Sequence, residues 1–367
     1  MQAHAAIIEE QGGQFVLDKV EVEDPRVGEV LVKISSAGMC HTDLTVRDQY
    51  YPTPLPVVLG HEGAGVIEKV GPGVTDLSVG DRVVLSFSYC GKCNNCLSGE
   101  QAYCPDLFAL NFGGRRLDGS TPITRNGVDV NAMFFGQSSF STHSIVRQQN
   151  CVKVAEDAPL DLLGPLGCGI QTGAGAILNA LKAEPGSSVA IFGVGSVGLS
   201  AVMAAKLSGV LKIIAIDLNA DRLKKARELG ATHTISGGEK NALEEIQALT
   251  GGGVDYAVDT TAIPGVLRAA VDSVHVRGTC AVVGGAPLGT EFKLDMNNML
   301  FGRKIVGLVE GSSIPQIFIP RLIELHKAGL FPFDELVTNY DFDDINEAVK
   351  DTETTGKAIK AVLKMAS

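Results

Sequence analysis

A run of about eighteen uncharged apolar residues, the least that a membrane-spanning helix needs, occurs nowhere in the chain. The N-terminus, MQAHAAIIEEQGGQ, has no basic start leading into an apolar run, because Glu9 and Glu10 interrupt the one candidate. No membrane partner and no secretory leader are therefore expected, and a cytoplasmic location is. The chain also lacks any Lys/Arg-rich block and carries a formal net charge of -11, which excludes a phosphate-backbone footprint and with it a nucleic-acid partner. Nor is there a cysteine framework: Cys40, Cys151, Cys168 and Cys280 are scattered. With 367 residues there is room for two domains that bury their own cores, so disulfides are not needed for stability. Repeats of 20 to 50 residues and low-complexity linkers are absent as well.

What is there has two textures. Up to about residue 150, short apolar runs such as EVLVKISSAG, GAGVIEKVGPG and GDRVVLSFS are separated by turn signals, which reads as an irregular β-rich domain. From about Leu181, strands alternate with helical segments: SSVAIFG, SVGLSAVMAAKLSG, LKIIAIDLN, ADRLKKARELG. That alternation predicts a parallel sheet with crossover helices. KAIKAVLKM near the C-terminus reads as one more strand, and the Gly- and Asp-rich stretch from Asn111 to Asn131 as a long surface loop.

IFGVGSVG holds Gly193, Gly195 and Gly198 in a full G-x-G-x-x-G between a predicted strand and a predicted helix. Gly193 permits the tight turn, Gly195 lets a pyrophosphate approach the backbone, and Gly198 allows the helix to pack closely on the strand. Asp217 follows nineteen residues beyond Gly198, at the end of the next strand, where a carboxylate accepts from ribose hydroxyls and repels a 2′-phosphate. Leu218 and Asn219 supply no compensating cation, so NAD is expected over NADP. The alternative is that Asp217 only caps the following helix.

YCGKCNNCLSGEQAYC places Cys90, Cys93, Cys96 and Cys104 in one polar loop. In a reducing compartment four thiolates at this spacing suit a closed tetrahedral zinc, whereas a redox pair would use two cysteines at a helix start. A redox-active or incidental loop is the other reading. Cys40, His61, Glu62 and Cys168 lie in GMCHTD, LGHEG and LGPLGCGIQTG, and none of them alone declares a ligand role.

In their order, GMCHTD, GHEGAGVIEKVGPGV, the cysteine loop, GPLGCGIQTGAGA and IFGVGSVG resemble the zinc-containing medium-chain alcohol dehydrogenases over essentially the whole chain. LSFSYCGKC, LNFGG and FFGQSSFSTH look most like the bacterial aryl-alcohol and geraniol dehydrogenase branch. The resemblance implies an α/β fold with a doubly wound (Rossmann) NAD-binding domain, residues 170–309. A β-rich, GroES-like catalytic domain, residues 1–169 and 310–367, completes it, with the chemistry in the cleft between them. It implies two zinc ions per chain: a catalytic one on Cys40, His61 and Cys168 with Glu62 nearby, and a structural one on the four-cysteine loop. Asp43 would orient His61, and Thr42 would take the proton from the alcohol. Thr172 and Val197 would lie beside the nicotinamide, and His41, Arg222 and Lys360 would contact the cofactor's phosphates and ribose. Many members carry a histidine three residues beyond the hydroxyl residue to finish a proton relay. Here that position is Thr45, which leaves His41 or water as the exit.

The implied reaction is reversible oxidation of a small neutral primary aryl or allylic alcohol to the aldehyde. Zinc acts as Lewis acid and NAD takes the hydride. Leu44, Phe87, Tyr89 and Phe112 are wall candidates, or else plain core. Aliphatic alcohols are the alternative substrates. A zinc-free quinone or enal reductase and a non-catalytic zinc redox sensor are the rival readings. A homo-oligomer is expected, a tetramer over a dimer.

Overall fold

Short aliphatic runs punctuated by glycine and proline become two largely antiparallel sheets in one unit, and the strand-helix alternation becomes a parallel sheet in another. The computed structural model describes residues 1–237 and 242–365. It divides into one unit of Met1–Cys168, Ile314–Ile323 and Asp334–Ser367, and a second of Gly169–Ser313 and Glu324–Phe333.

In the first unit a five-stranded sheet runs in the order Val57–Val58, Gln2–Ile8, Val16–Val22, Ile123–Arg125, Val128–Val130. The larger sheet has seven strands, with Glu29–Gly38 at its centre between Glu62–Val70 and Lys360–Lys364. The KAIKAVLKM strand is thus internal. Its pairing with Glu29–Gly38 is antiparallel, and its pairing with Val337–Asp341 is parallel. Two register shifts in the ladder between Glu29–Gly38 and Glu62–Val70 bring Gly38 opposite Glu62. Cys40 lies two residues beyond one strand and His61 just before the other, so both fall at the same end of the ladder.

The stretch Asn111–Asn131, read as a surface loop, is less irregular than expected. Ile123–Arg125 and Val128–Val130 form a hairpin that extends the five-stranded sheet through Glu21 and Val22. Asn126 and Gly127 both have positive φ (53° and 76°), as a two-residue hairpin turn demands. That Asn-Gly signal is present in RNGVDV.

The second unit is a six-stranded parallel sheet in the order His233–Ser236, Lys212–Asp217, Ser188–Phe192, Val254–Asp259, Val274–Val282, Lys304–Gly307. In chain order this is 3-2-1-4-5-6, the doubly wound arrangement whose strand order reverses at Ser188–Phe192. Its core is aliphatic, with Ile214, Ile246 and Val274 fully buried. Among the described residues no helix is long and apolar enough to cross a membrane.

Candidate active site

The first ligand group is built around a buried acid. Asp43, on the helix His41–Arg47, has no exposed surface. Its Oδ2 accepts the N–H of Cys40 at 2.9 Å, and its Oδ1 accepts the N–H of Gly60 at 3.0 Å and meets His61 Nδ1 at 2.9 Å. One carboxylate therefore fixes the backbone at one sulfur ligand and the ring of the imidazole ligand. With Nδ1 donating to the acid, Nε2 carries the lone pair, and Nε2 is buried without a hydrogen-bond partner. Cys40, His61, Glu62 and Cys168 each aim a ligand atom into one cluster, all within 4.8 Å of one another. A buried imidazole nitrogen that no protein donor satisfies, flanked by two thiols and a carboxylate, fits a zinc ion.

The charges in this pocket lean the same way. Cys168, burial and His61 act on Cys40, the burial opposing, and the net effect holds its thiol well below the ordinary cysteine range. Burial works against a charged His61, but Asp43 and Cys40 outweigh it and raise its pKa well above the ordinary value. A cation entering the cluster takes the place of that proton.

Glu62 is bound differently from the other three. Lys360, 2% exposed, places its ammonium 2.9 and 3.0 Å from the two oxygens of Glu62 and 3.1 Å from the carbonyl of Met39. Burial disfavours that charge, but Glu62 more than offsets it and raises the lysine's pKa. Lys360 was expected at the cofactor's phosphates or ribose. In the structure its ammonium is engaged by Glu62 and Met39 instead, because a buried carboxylate at this depth requires a countercharge.

The hydroxyl of Thr42 lies 3.8 Å from Cys40 Sγ, and His41 is exposed on the same turn. Thr45 is buried and donates its hydroxyl to the carbonyl of His41 at 3.0 Å, an i to i−4 bond within the helix. Its hydroxyl is thus turned back onto the helix.

The four-cysteine loop closes on itself. The helix Asn94–Leu97 is capped by Cys93, whose sulfur accepts the N–H of Cys96 at 3.4 Å, and Cys90 Sγ accepts the N–H of Cys93 at 3.3 Å. Cys90 and Cys96 sulfurs are 3.9 Å apart, and those of Cys93 and Cys104 4.0 Å. Tetrahedral zinc with Zn–S of about 2.3 Å puts its sulfurs about 3.8 Å apart, whereas a disulfide requires about 2.05 Å. The N–H groups of Lys92 and Cys93 lower the pKa of Cys90 to about 6, against some burial, which prepares a thiolate there, whereas burial pushes Cys96 up to about 12 and raises Cys104 as well.

In the second unit the glycine turn joins Ser188–Phe192 to the helix Ser196–Leu207. Gly193 has φ +81°, and a Cβ there would fall 2.6 Å from Thr260 Oγ1, so the turn itself requires glycine. Gly195 is different: its φ is −72°, and a Cβ would meet nothing within 4 Å. Neither packing nor backbone conformation explains a glycine facing open space at a helix start, whereas a phosphate seated on those amides does. Asp217 accepts the N–H of Val194 at 2.7 Å and of Asn219 at 2.9 Å. The helix cap is Asn219, whose side chain takes the N–H groups of Asp221 and Arg222. The Nε of Arg222 is buried without a partner among the described residues. Thr172 lies on the helix Gly169–Gly175 and Val197 in the first turn of Ser196–Leu207.

An aromatic wall stands beside His61, and of its residues the sequence reading named only Phe112. Phe135 stacks on the imidazole with ring centroids 4.4 Å apart, and Phe134 meets it edge-on at 5.4 Å. Phe135 holds this position with φ 51°, a left-handed conformation that costs a bulky residue about 1 kcal/mol or more. Phe112 packs against both at 5.9 and 5.3 Å, and Tyr51 and Phe108 extend the cluster outward. Asn111 anchors the helix Leu107–Phe112 by exchanging two hydrogen bonds with the backbone of Ser88. Of the wall candidates, Phe112 joins this cluster, while Leu44 and Phe87 are core residues at 1% exposure and Tyr89 packs on Phe87. For Phe134 and Phe135 the sequence signal was the pair in MFFGQ, and two phenylalanines before a glycine read equally well as core.

Comparison with known proteins agrees with this geometry. Residues 26–156 match the alcohol dehydrogenase GroES-like domain, and residues 196–327 match the zinc-binding dehydrogenase family. A geraniol dehydrogenase from Castellaniella defragrans is 47% identical over 99% of this chain and 98% of its own length. A class-3 alcohol dehydrogenase from Myxine glutinosa is 37% identical over 98% of this chain and 97% of its own length. The crystal structure of benzyl alcohol dehydrogenase from Acinetobacter calcoaceticus is 48% identical and superimposes with a TM-score of 0.97, covering 100% of both chains. With full-length likeness of this degree and both cysteine-containing clusters formed, the chain belongs to the zinc-containing medium-chain alcohol dehydrogenase family.

Proposed function

We propose that the protein reversibly oxidises primary aryl or allylic alcohols to aldehydes, with NAD as hydride acceptor. The observation that carries the substrate class is the aromatic cluster beside His61, in which the buried Phe134 and Phe135 back the partly exposed ring of Phe112, a neutral, flat face suited to an arene or a conjugated alkene. The two relatives that are geraniol and benzyl alcohol dehydrogenases support the same class. NAD is supported by the open cradle at Gly195 and by the carboxylate of Asp217, flanked by Leu218 and Asn219, neither of which is a cation.

Bound zinc on Cys40, His61 and Cys168 supplies the Lewis acidity that makes an alcohol hydroxyl acidic at neutral pH. The chain's own residues do the rest. Asp43 holds the His61 ring so that Nε2 faces the cluster. Lys360 neutralises Glu62, so the carboxylate is not an unpaired buried charge. Thr42 Oγ1 accepts the alcohol's proton, and the exposed His41 one residue earlier, or water, carries it to solvent. Phe134 and Phe135 exclude water around the ring of His61.

We further assign the protein to the cytoplasm as a homo-oligomer, a tetramer over a dimer. No disulfide joins any of the cysteines among the described residues, as a reducing compartment keeps them. The strand Lys304–Gly307 ends the parallel sheet, and Met296 (86%), Leu300 (74%) and Phe301 (65%) are exposed just before it, an apolar edge suited to a second copy. Light scattering on the purified protein tests the subunit count.

The test of function is an initial-rate comparison of benzyl alcohol, geraniol, cinnamyl alcohol and ethanol with NAD and with NADP. The aromatic and allylic alcohols are expected to exceed ethanol in kcat/KM, and NAD to exceed NADP. Ethanol matching benzyl alcohol would move the assignment to aliphatic alcohols.

A further inference from the structure

The Gly- and Asp-rich loop over residues 113–121 covers a cleft of about 340 Å³ that shares none of the ligand, glycine-turn or aromatic-wall residues described above. Its polar side holds three guanidinium groups, and their partners differ. Arg115 donates to Asn131, Asp129 and the carbonyl of Gly119. Arg116 is held between Glu29 and Glu23. Arg147 makes no ion pair, and its Nη1 is buried without an acceptor among the described residues. Burial pulls its pKa below the ordinary arginine value, against the pull of Glu29 and Cys90. Next to it Gln148 Oε1 is a second buried atom without a partner among the described residues. Arg147 thus lines the cleft with no carboxylate paired to it among the described residues, an arrangement that an anion relieves. The facing side is apolar: Leu110 and Met133 are buried, and Leu117 stands on the loop.

We infer that this cleft binds a small amphiphilic carboxylate, its carboxylate on Arg147 and its hydrocarbon body against Leu110, Met133 and Leu117. A guanidinium's planar fork matches a carboxylate in two parallel hydrogen bonds. A phosphate dianion fits less well, because one cation is free and the carboxylates of Glu29 and Asp118 line the same cleft. The volume lies near the small end of ligand sites and holds an arene or short terpenoid acid.

The identity of that hydrocarbon body rests on the alcohol reading above, since oxidation of an aryl or allylic aldehyde is the reaction class that yields such an acid. The cleft is also joined to the aromatic wall. Leu110 belongs to the helix that carries Phe112, and Met133 and Gly136 flank Phe134 and Phe135 on either side. A ligand seated on Leu110 and Met133 therefore presses on the two segments that form the wall beside His61, and its occupancy shifts alcohol affinity.

The experiment uses the zinc-loaded full chain and isothermal titration with benzoate, benzamide and inorganic phosphate. Benzoate is expected to bind, and its neutral isostere benzamide and phosphate to bind at least about tenfold more weakly, the loss that goes with a missing charged hydrogen bond. Arg147→Met should weaken benzoate by a similar factor and Arg147→Lys by less, both with unchanged zinc content and unchanged benzyl alcohol kcat in the absence of benzoate. Benzoate should shift the KM for alcohol in the parent and not in Arg147→Met. Benzoate binding that survives Arg147→Met, or phosphate binding as well as benzoate, overturns the inference. Loss of zinc from Arg147→Met with benzoate affinity intact overturns it too, and makes Arg147 a countercharge of the cysteine loop. A protein that oxidises none of the test alcohols yet binds benzoate through Arg147 refutes the enzymatic reading and leaves the site standing.

Discussion

Asp43 shows how much of a metal site can hang on a residue that is not a ligand. Its two oxygens serve Cys40, Gly60 and His61 at once, and an amide in its place can accept at one atom only. Asp43→Asn is therefore expected to lower zinc affinity or kcat/KM by about 10- to 100-fold. Zinc content by mass spectrometry alongside initial rates reads this out, and a variant with parental zinc and rate would make the contacts dispensable. Thr42→Val asks about the proton instead. It keeps the shape of the side chain and removes the acceptor, so kcat for alcohol oxidation should fall by roughly 10²-fold or more. Zinc content should not change. A near-parental rate, with a deuterium isotope effect showing hydride transfer to be limiting, would send the proton by another route. The resemblance named Asp43 and Thr42 from six contiguous letters. It could not show that Thr45 donates to the carbonyl of His41 or that Lys360 pairs with Glu62, because the first depends on a rotamer and the second joins residues 298 positions apart whose strands lie on either side of Glu29–Gly38.

At the scale of elements, the pieces with strong local chemistry were the legible ones. The glycine turn, the cysteine loop and the strands Ser188–Phe192 and Lys212–Asp217 carry their own spacing rules, and each forms where the pattern put it. The hairpin Ile123–Arg125 and Val128–Val130 was obscured by the polar, glycine-rich residues around it, although its Asn-Gly turn was in plain view. The aromatic wall is harder in kind, since Phe112 and Phe135 come together through a helix anchored on Ser88 and a left-handed residue, neither of which has a periodic signature. The cysteine loop yields a prediction at this scale. Cys90→Ser removes a sulfur that accepts the N–H of Cys93 and completes the four-donor set, so the chain should keep one zinc instead of two and lose thermal midpoint, because the metal is coupled to the local fold. Zinc content and midpoint measured together test it. Full zinc with an unchanged midpoint would deny the loop a structural role.

The whole molecule's stability should carry a pH signature from the second unit, where His275 Nε2 sits 3.0 Å from Asp255 Oδ1. The bond to Asp255 raises the pKa of His275 against some burial. Burial pushes Asp255 up, but Ser188 and His275 outweigh it and lower its pKa. The histidine's contribution is fully present below its unfolded pKa of about 6.5 and is lost as pH rises through the higher folded value. The acid's contribution is present above about 3.9 and is lost as pH falls through the lower folded value. Both groups are more than a third exposed, so the pair contributes at most about 1 kcal/mol. His275→Gln should melt below the parent near pH 5 to 6, and the gap should close by pH 9. A gap that is constant with pH would mean the loss is one of packing.

The strand Lys360–Lys364 has a consequence for how the molecule is made. It lies beside Glu29–Gly38 inside the larger sheet, and it brings the ammonium that pairs with Glu62. During synthesis the ribosome releases Glu62 nearly three hundred residues before Lys360. Until that last strand arrives, closing the sheet would bury a carboxylate with no countercharge, which costs about 3 to 5 kcal/mol. Nascent chains that stop short of Lys360 should therefore stay open at the Glu62 end of the ladder and sensitive to protease there.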